Sequence, residues 1–317
     1  MALHLYTYGS HTIGTHVVFP ELRPARDVSP SVFFRVRQKP GRVAAPVRRV
    51  REWRMQDGEV LAALHEAADG YVIHFMRLAR FQVSKDLSMV RCIPFRSCSP
   101  ALMRHLFLDQ IMPLLLSLTG EYVMHASAVE HDGRAIAFVG ESGAGKSTMA
   151  AAFGRAAGRI LADDSVIVRE IAGPFLASAP YASLRLWEDS AAALDLGRGQ
   201  AGHRRGKRCF PRSAAVSFAD GPLPLAAICL LDRTGPGARA TLSRMAAADA
   251  LVTLVKSTFK FDSTDHAMLE REFRFLSHLL AAVPCYRLTT SECLNDLSLI
   301  RQLVIDAVYV GRPRRIA

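Results

Sequence analysis

The chain has 317 residues, half of them hydrophobic and 22% charged, with a formal net charge of +11 and a pI near 9.8. That is ample for a sizeable core in one large or two modest domains, and the basic balance favours acidic partners: nucleotides, phosphorylated substrates, acidic peptides or nucleic acid. The six cysteines, Cys92, Cys98, Cys209, Cys229, Cys285 and Cys293, form no CxxC pair and no Cys/His ladder, which excludes a zinc site of that kind and reads as free thiols in a reducing compartment.

The start, "MALHLYTYGS", lacks the basic opening and long apolar stretch of a signal peptide. The first hundred residues alternate short strand-like runs, "GTHVVF", "SVFFRVR" and "GYVIHFMRL", with Pro and Gly turns. One dense basic region runs from Arg23 to Arg54 and is suited to recruiting an acidic substrate, although a solvated face is the plainer reading. No zinc-finger spacing or RNA-binding aromatic signature accompanies the basic runs, so nucleic acid is not the expected partner. Residues 101–118 carry helical periodicity through Leu102, Leu106, Ile111 and Leu115. Their apolar run "LFLDQIMPLLLSL" is interrupted by Asp109 and Pro113 and reads as too short to span a bilayer, so no membrane is expected and the location expected is the cytoplasm. The division expected is a strand-rich accessory or substrate-recognition domain over 1–105, followed by a larger α/β domain over 106–317.

From Tyr122 the pattern becomes strand, turn, strand, glycine-rich loop, helix and strand. "EYVMHASAVE" and "RAIAFVG" read as two strands joined at Asp132-Gly133, a strong hairpin turn. If His131 pairs with Arg134, opposed positions sum to 265, and His125 falls beside Gly140. "GESGAGKST" then matches the phosphate-loop pattern G-x-x-x-x-G-K-[ST] in full, between the strand-like "AIAFV" and the helix-like "STMAAAFGRAAG". The candidate nucleotide-binding residues are therefore Gly140, Glu141, Ser142, Gly143, Ala144, Gly145, Lys146, Ser147 and Thr148. Their backbone N–H groups would cradle phosphates at a helix N-terminus, with Lys146 on the β and γ phosphates and Ser147 on Mg²⁺. At "ILADDSVIV" two adjacent aspartates, Asp163 and Asp164, stand between apolar runs. Turn chemistry explains one of them. ATP, Mg²⁺ and an acceptor hydroxyl give a reason for two: one for the metal, one to take the proton.

Further on, "RRGKR" at 204–208 reads as a flexible basic loop whose Lys207 and Arg208 could close over the γ-phosphate. "LAAICLLD" reads as a buried strand. "DALVTLVKSTFKF", "HAMLEREFRFLSHLLAAV" and "LNDLSLIRQLVIDAVYV" read as helices.

The ordered set "MHASAV", "GESGAGKST" and "LADDSVIV" resembles the carboxy-terminal domain of the HPr serine kinase family, clearly from about residue 121 to 170 and weakly to about 232. The resemblance implies an α/β P-loop kinase domain of the HPr kinase type behind the smaller strand-rich domain. It carries over His125, Lys146, Ser147, Asp163 and Asp164 as catalytic or metal-associated positions, with the general base at Asp163 and the metal near Ser147 and Asp164. The loop here ends Ser147-Thr148 where bifunctional members have Ser-Glu, and "SLRLWEDS" stands where they carry an Arg-Gly-rich signature. Phosphorolysis is therefore not implied. The whole is similar to HPr-kinase-like tailoring kinases, including those of lasso-peptide production, which phosphorylate a serine on a precursor peptide.

The function expected is Mg·ATP-dependent phosphorylation of a serine on a peptide or small protein. Rival readings are a small-molecule kinase with the same site, a nucleotide-dependent assembly protein, and an ABC-type ATPase module. Against the last, Arg233 stands where a glutamate would follow the strand ending at Asp232, and "LGRGQ" comes too soon after the loop. Homo-oligomerisation is left open.

Overall fold

The computed structural model describes residues 2–37, 46–55, 57–156, 158–202, 206–213, 215–235, 238–290 and 296–309. The chain divides into two compact units, the first made of Met1–Thr119 and Lys260–Leu269, the second of Gly120–Phe259 and Glu270–Ala317. Residues 106–119, which the sequence reading gives to the second domain, lie in the first unit.

The first unit is built on a nine-stranded sheet whose central strands run, in spatial order, Val32–Val36, Met89–Pro94, Ala79–Ser84, Gly70–Phe75 and Val60–Ala67. Period-2 alternation buries Phe81, Val83, Val90, Cys92, Phe34 and Ile73 on one face. That face meets a helical segment running from Pro100 to Leu118, with Phe107 stacked on Phe34 at 4.1 Å between ring centres. Ser99 caps its start by accepting from Leu102 N at 3.2 Å, with Pro100 in the first turn, where its missing N–H costs nothing. The strand read at "GTHVVF" ends at Thr15, and its Phe19 turns into the core instead.

The 101–118 periodicity does form helix, but a π turn at Phe107–Ile111 interrupts it. Extended back to Pro100, the segment has 19 residues and a mean hydropathy of 1.2, so by length and composition it could cross a membrane, contrary to the sequence expectation. Most of it is buried inside the protein.

In the second unit, helices cover both faces of a mixed sheet. The strand Arg134–Val139 lies between Ala126–His131, antiparallel, and Leu223–Arg233, parallel. On one side Ile136 and Phe138 pack on Met149 and Phe153 of the helix Lys146–Arg155 and on Ile300, Leu303 and Val304 of the helix Leu297–Tyr309. On the other, Ala135, Ala137 and Val139 belong to a cluster with Ala250, Leu254, Leu276 and Leu279. Two helix-covered faces explain why these strands read as continuous apolar runs. The helix expected over "DALVTLVKSTFKF" ends at Ser257.

The Asp132-Gly133 hairpin has the register expected, with His131 opposite Arg134 and Ala126 opposite Val139. The strand "EYVMHASAVE" does not run through, however. It breaks at His125 into Tyr122–Met124, paired with Val166–Glu170, and Ala126–His131. Strand Arg159–Ala162 pairs antiparallel with Ala126–His131, so it runs parallel to Arg134–Val139. The carboxyl ends of Arg134–Val139, Arg159–Ala162 and Leu223–Arg233 therefore share one edge. Parallel strands gather ligand-binding groups at that edge.

Candidate active site

Gly140 leaves the strand Arg134–Val139 so close to its neighbour that a Cβ there would sit 2.9 Å from Leu231 O and 3.1 Å from the Ala144 Cβ. Gly145, at φ 100°, closes the loop in the left-handed region and caps the helix Lys146–Arg155. Ala144 N donates to Glu141 O at 3.1 Å and Met149 N to Gly145 O at 2.9 Å, leaving the first N–H groups of the helix without intrahelical acceptors. Glu141, Ser142 and Gly143 are exposed along the loop.

Lys146 is 6% exposed and donates through Nζ to Gly140 O at 2.8 Å and Glu141 O at 3.0 Å. Burial lowers its pKa, against the pull of Asp164 and Asp163. Ser147 lies near enough to Asp163 to favour its charged form, as the least of the influences on that carboxyl. Thr148 is buried, and its hydroxyl donates to Ser190 Oγ at 3.2 Å, so what it turns to the loop is its backbone N–H.

The two aspartates follow the carboxyl end of Arg159–Ala162. Asp163 is 2% exposed and accepts from Ser127 Oγ at 2.7 Å and from Arg185 N at 2.9 Å. Burial first, then the Asp164 carboxylate, raises its pKa above the usual range despite these donors. Asp164 takes a left-handed conformation, φ 65°, which aspartate tolerates better than most residues. Its Oδ2 accepts from Arg185 Nε at 3.2 Å and Nη2 at 3.0 Å. Arg185 lies on the strand Arg185–Trp187 and is 5% exposed, its guanidinium also near the Tyr181 hydroxyl. The sequence reading had no role for Arg185. The signal was present in "LRLW": an arginine between leucines of a strand is a charge entering the core and needs a carboxylate.

His125 sits at the break between its two strands. Its N–H donates to Ser257 O at 2.6 Å, and its ring Nδ1 lies 3.1 Å from Asp164 O. Because a carbonyl can only accept, Nδ1 carries the proton and Nε2 is the free acceptor. Burial, then Lys146, lowers its pKa and keeps the ring neutral. The loop, the aspartates and His125 are thus brought together.

Lys207 and Arg208 belong to a short strand, Lys207–Cys209, paired with Arg185–Trp187, rather than to a free loop. Lys207 is close enough to depress both Lys146 and His125 electrostatically. Arg208 is committed to Glu188, 2.6 Å from Nη2 to Oε1, at an exposed position. Arg204 and Arg205, the terminal "GRPRR" and Cys293 lie outside the described residues. At the same sheet edge Arg233 brings Nη2 within 3.9 Å of where a Gly145 Cβ would stand.

Among the described residues no group of three or more His, Cys, Asp and Glu could hold a metal. The hydroxyl of Ser165, next in sequence to Asp164, is buried with no hydrogen-bond partner in the protein. An unpaired polar group next to the two aspartates fits a hydrated ion.

No family model matches the chain, and no curated protein matches it. It is similar to a solved structure, the HPr(Ser) kinase/phosphatase from Coxiella burnetii, with a TM-score of 0.31 and 11% identity, covering 58% of this chain and 94% of that one.

Proposed function

We propose that the chain is a Mg·ATP-dependent kinase that phosphorylates a serine on a peptide or small protein. The observation that carries this reading is the buried Asp163, which accepts from Ser127 Oγ and Arg185 N at the carboxyl end of Arg159–Ala162, with Asp164 beside it and Lys146 of the loop close enough to feel both charges. A loop that only bound nucleotide would need neither a buried carboxylate with raised proton affinity nor a second one beside it.

In this reading the loop N–H groups and Lys146 hold the β and γ phosphates, and Lys207 adds positive charge. Lys146 exchanges its bonds to Gly140 O and Glu141 O for phosphate oxygens. Ser147 and Asp164 would hold magnesium, which when bound would neutralise charge on the phosphates. Asp163 takes the proton of the acceptor hydroxyl, a role supported by its raised pKa. The Arg185 guanidinium and backbone N–H fix the two carboxylates relative to each other. Neutral His125 holds the Asp164 carbonyl and keeps Nε2 as an acceptor beside the site. Serine-bearing precursor peptides of the lasso type are the acceptors the sequence resemblance favours.

A second reading, a nucleotide-dependent assembly protein, is favoured by one observation: Asp164 is already neutralised by Arg185. The deciding experiment incubates the protein with labelled ATP and candidate serine peptides and follows phosphate by mass. Transfer that disappears in Asp163→Asn supports the kinase. Nucleotide binding without transfer to peptide or water supports the assembly protein, and transfer to small alcohols alone supports a small-molecule kinase.

A further inference from the structure

Several arginines of the first unit are paired: Arg48 meets Asp262 at 2.9 Å, Arg49 and Arg54 both meet Glu52, and Arg104 meets Glu21. Three others gather on one face of the sheet. In the parallel pairing of Val32–Val36 with Met89–Pro94, Arg35 stands directly opposite Arg91. Arg37 follows two residues on, on the same face. None of the three has a carboxylate partner among the described residues. Like charges at opposed positions of neighbouring strands concentrate positive charge on this face.

The surroundings give that ligand a chemistry. On its other side Arg91 faces Gln82. Arg37 and Arg91, with Tyr71, Gln82, Ser84 and Asp69, line a cleft of about 240 Å³. Arg35 and Arg37 are exposed, and Arg91 is half-buried and lines the cleft. Two guanidinium groups on adjacent strands offer the fork geometry that carboxylates take, and amide and hydroxyl groups stand beside them.

We propose that this cleft docks an acidic peptide segment of a partner, seating a carboxylate between Arg37 and Arg91 with Arg35 reinforcing the charge. The site binds in the absence of nucleotide and does not rest on the kinase reading. Where both hold, the acidic segment belongs to the phosphoryl acceptor and sets its KM.

The test is fluorescence anisotropy of a short labelled Glu/Asp-rich peptide against the full chain without ATP. A Lys-rich peptide, a neutral peptide and a single-stranded oligonucleotide serve as comparisons. The acidic peptide is expected to bind, the others weakly or not at all, and Arg91→Gln is expected to weaken binding roughly tenfold or more. The same substitution removes a cation that has no carboxylate partner among the described residues, and is expected to leave the melting temperature unchanged or raised. Loss of binding with unchanged or greater stability is the signature of the site, and unfolding cannot mimic it. Arg35→Gln and Arg37→Gln, at exposed positions, repeat the binding test on two further variants. The proposal fails if the acidic peptide does not bind, if Arg91→Gln binds it as well as the unaltered protein, or if the oligonucleotide binds at least as tightly. Because no turnover is measured, failure here leaves the kinase reading standing, and loss of transfer in Asp163→Asn leaves this one.

Discussion

Arg185 directs two guanidinium nitrogens, Nε at 3.2 Å and Nη2 at 3.0 Å, onto one oxygen of Asp164, Oδ2. Both side chains are mostly buried, at 6% and 18% exposure. Removing the arginine leaves a half-buried carboxylate next to a second one. Arg185→Ala is expected to cost about 3–5 kcal/mol of stability, as breaking a buried pair does, and to reduce phosphoryl transfer by roughly two orders of magnitude. Arg185→Lys retains the charge but loses the fork, so it is expected to recover stability more than rate. Thermal melts and peptide-labelling rates read the two effects separately, and full transfer by Arg185→Ala would remove Arg185 from the site.

Asp163→Asn tests the base and carries a stability signature. The fold raises the proton affinity of Asp163, so its contribution to stability is fully present below the ordinary value of 3.8 and declines as pH rises through the raised folded value. At neutral pH the asparagine variant is therefore expected to melt as high as the unaltered protein or higher, while transfer falls roughly 10²–10⁴-fold. The difference in melting temperature should shrink on acidification. A variant that melts lower at every pH contradicts the buried charge as drawn.

Gly145→Ala places a side chain at φ 100°. Left-handed backbone costs an ordinary residue roughly 1–2 kcal/mol, and relief of that strain turns the loop N–H groups away from phosphate. The melting temperature gained on adding Mg·ATP is expected to vanish in this variant. A shift equal to that of the unaltered protein would mean that nucleotide binds elsewhere.

His125 titrates in the opposite sense to Asp163. Its folded pKa lies below 6.5 because of burial and Lys146, so the fold binds the proton less well than the unfolded chain. Its contribution is present above 6.5 and is lost as pH falls toward the lowered value. His125→Gln is expected to flatten the slope of melting temperature against pH on the acid side of 6.5. An unchanged slope would place the acid sensitivity on other groups.

The site was legible in the sequence where its signals are local. The phosphate loop is one contiguous motif, the Asp132-Gly133 turn fixed the hairpin register, and the side-by-side aspartates were conspicuous in an apolar run. Arg185 was missed because it reaches Asp164 across 21 residues, through a three-stranded sheet of very short strands that leaves no periodic trace. The break at His125 was hidden because alternation runs unbroken through "EYVMHASAVE". The chain is parted there by distant partners: Met124 bridges to Thr258 and His125 N donates to Ser257 O. The π turn at Phe107–Ile111 left no mark in the helical period either, since side-chain spacing barely registers one extra residue.

The first unit recruits Lys260–Leu269, and with it Phe261, edge-on to Tyr71 at 4.6 Å, and the Asp262 carboxylate of Arg48. During synthesis that unit therefore waits for residues made roughly 150 positions after Thr119, about 8–30 s at common translation speeds. The order in which the ribosome delivers the units is not the order in which they can finish folding. The phosphate loop and both aspartates emerge while the amino-terminal sheet still lacks its last segment, and residues 1–119 expressed alone should retain the gap left by Phe261.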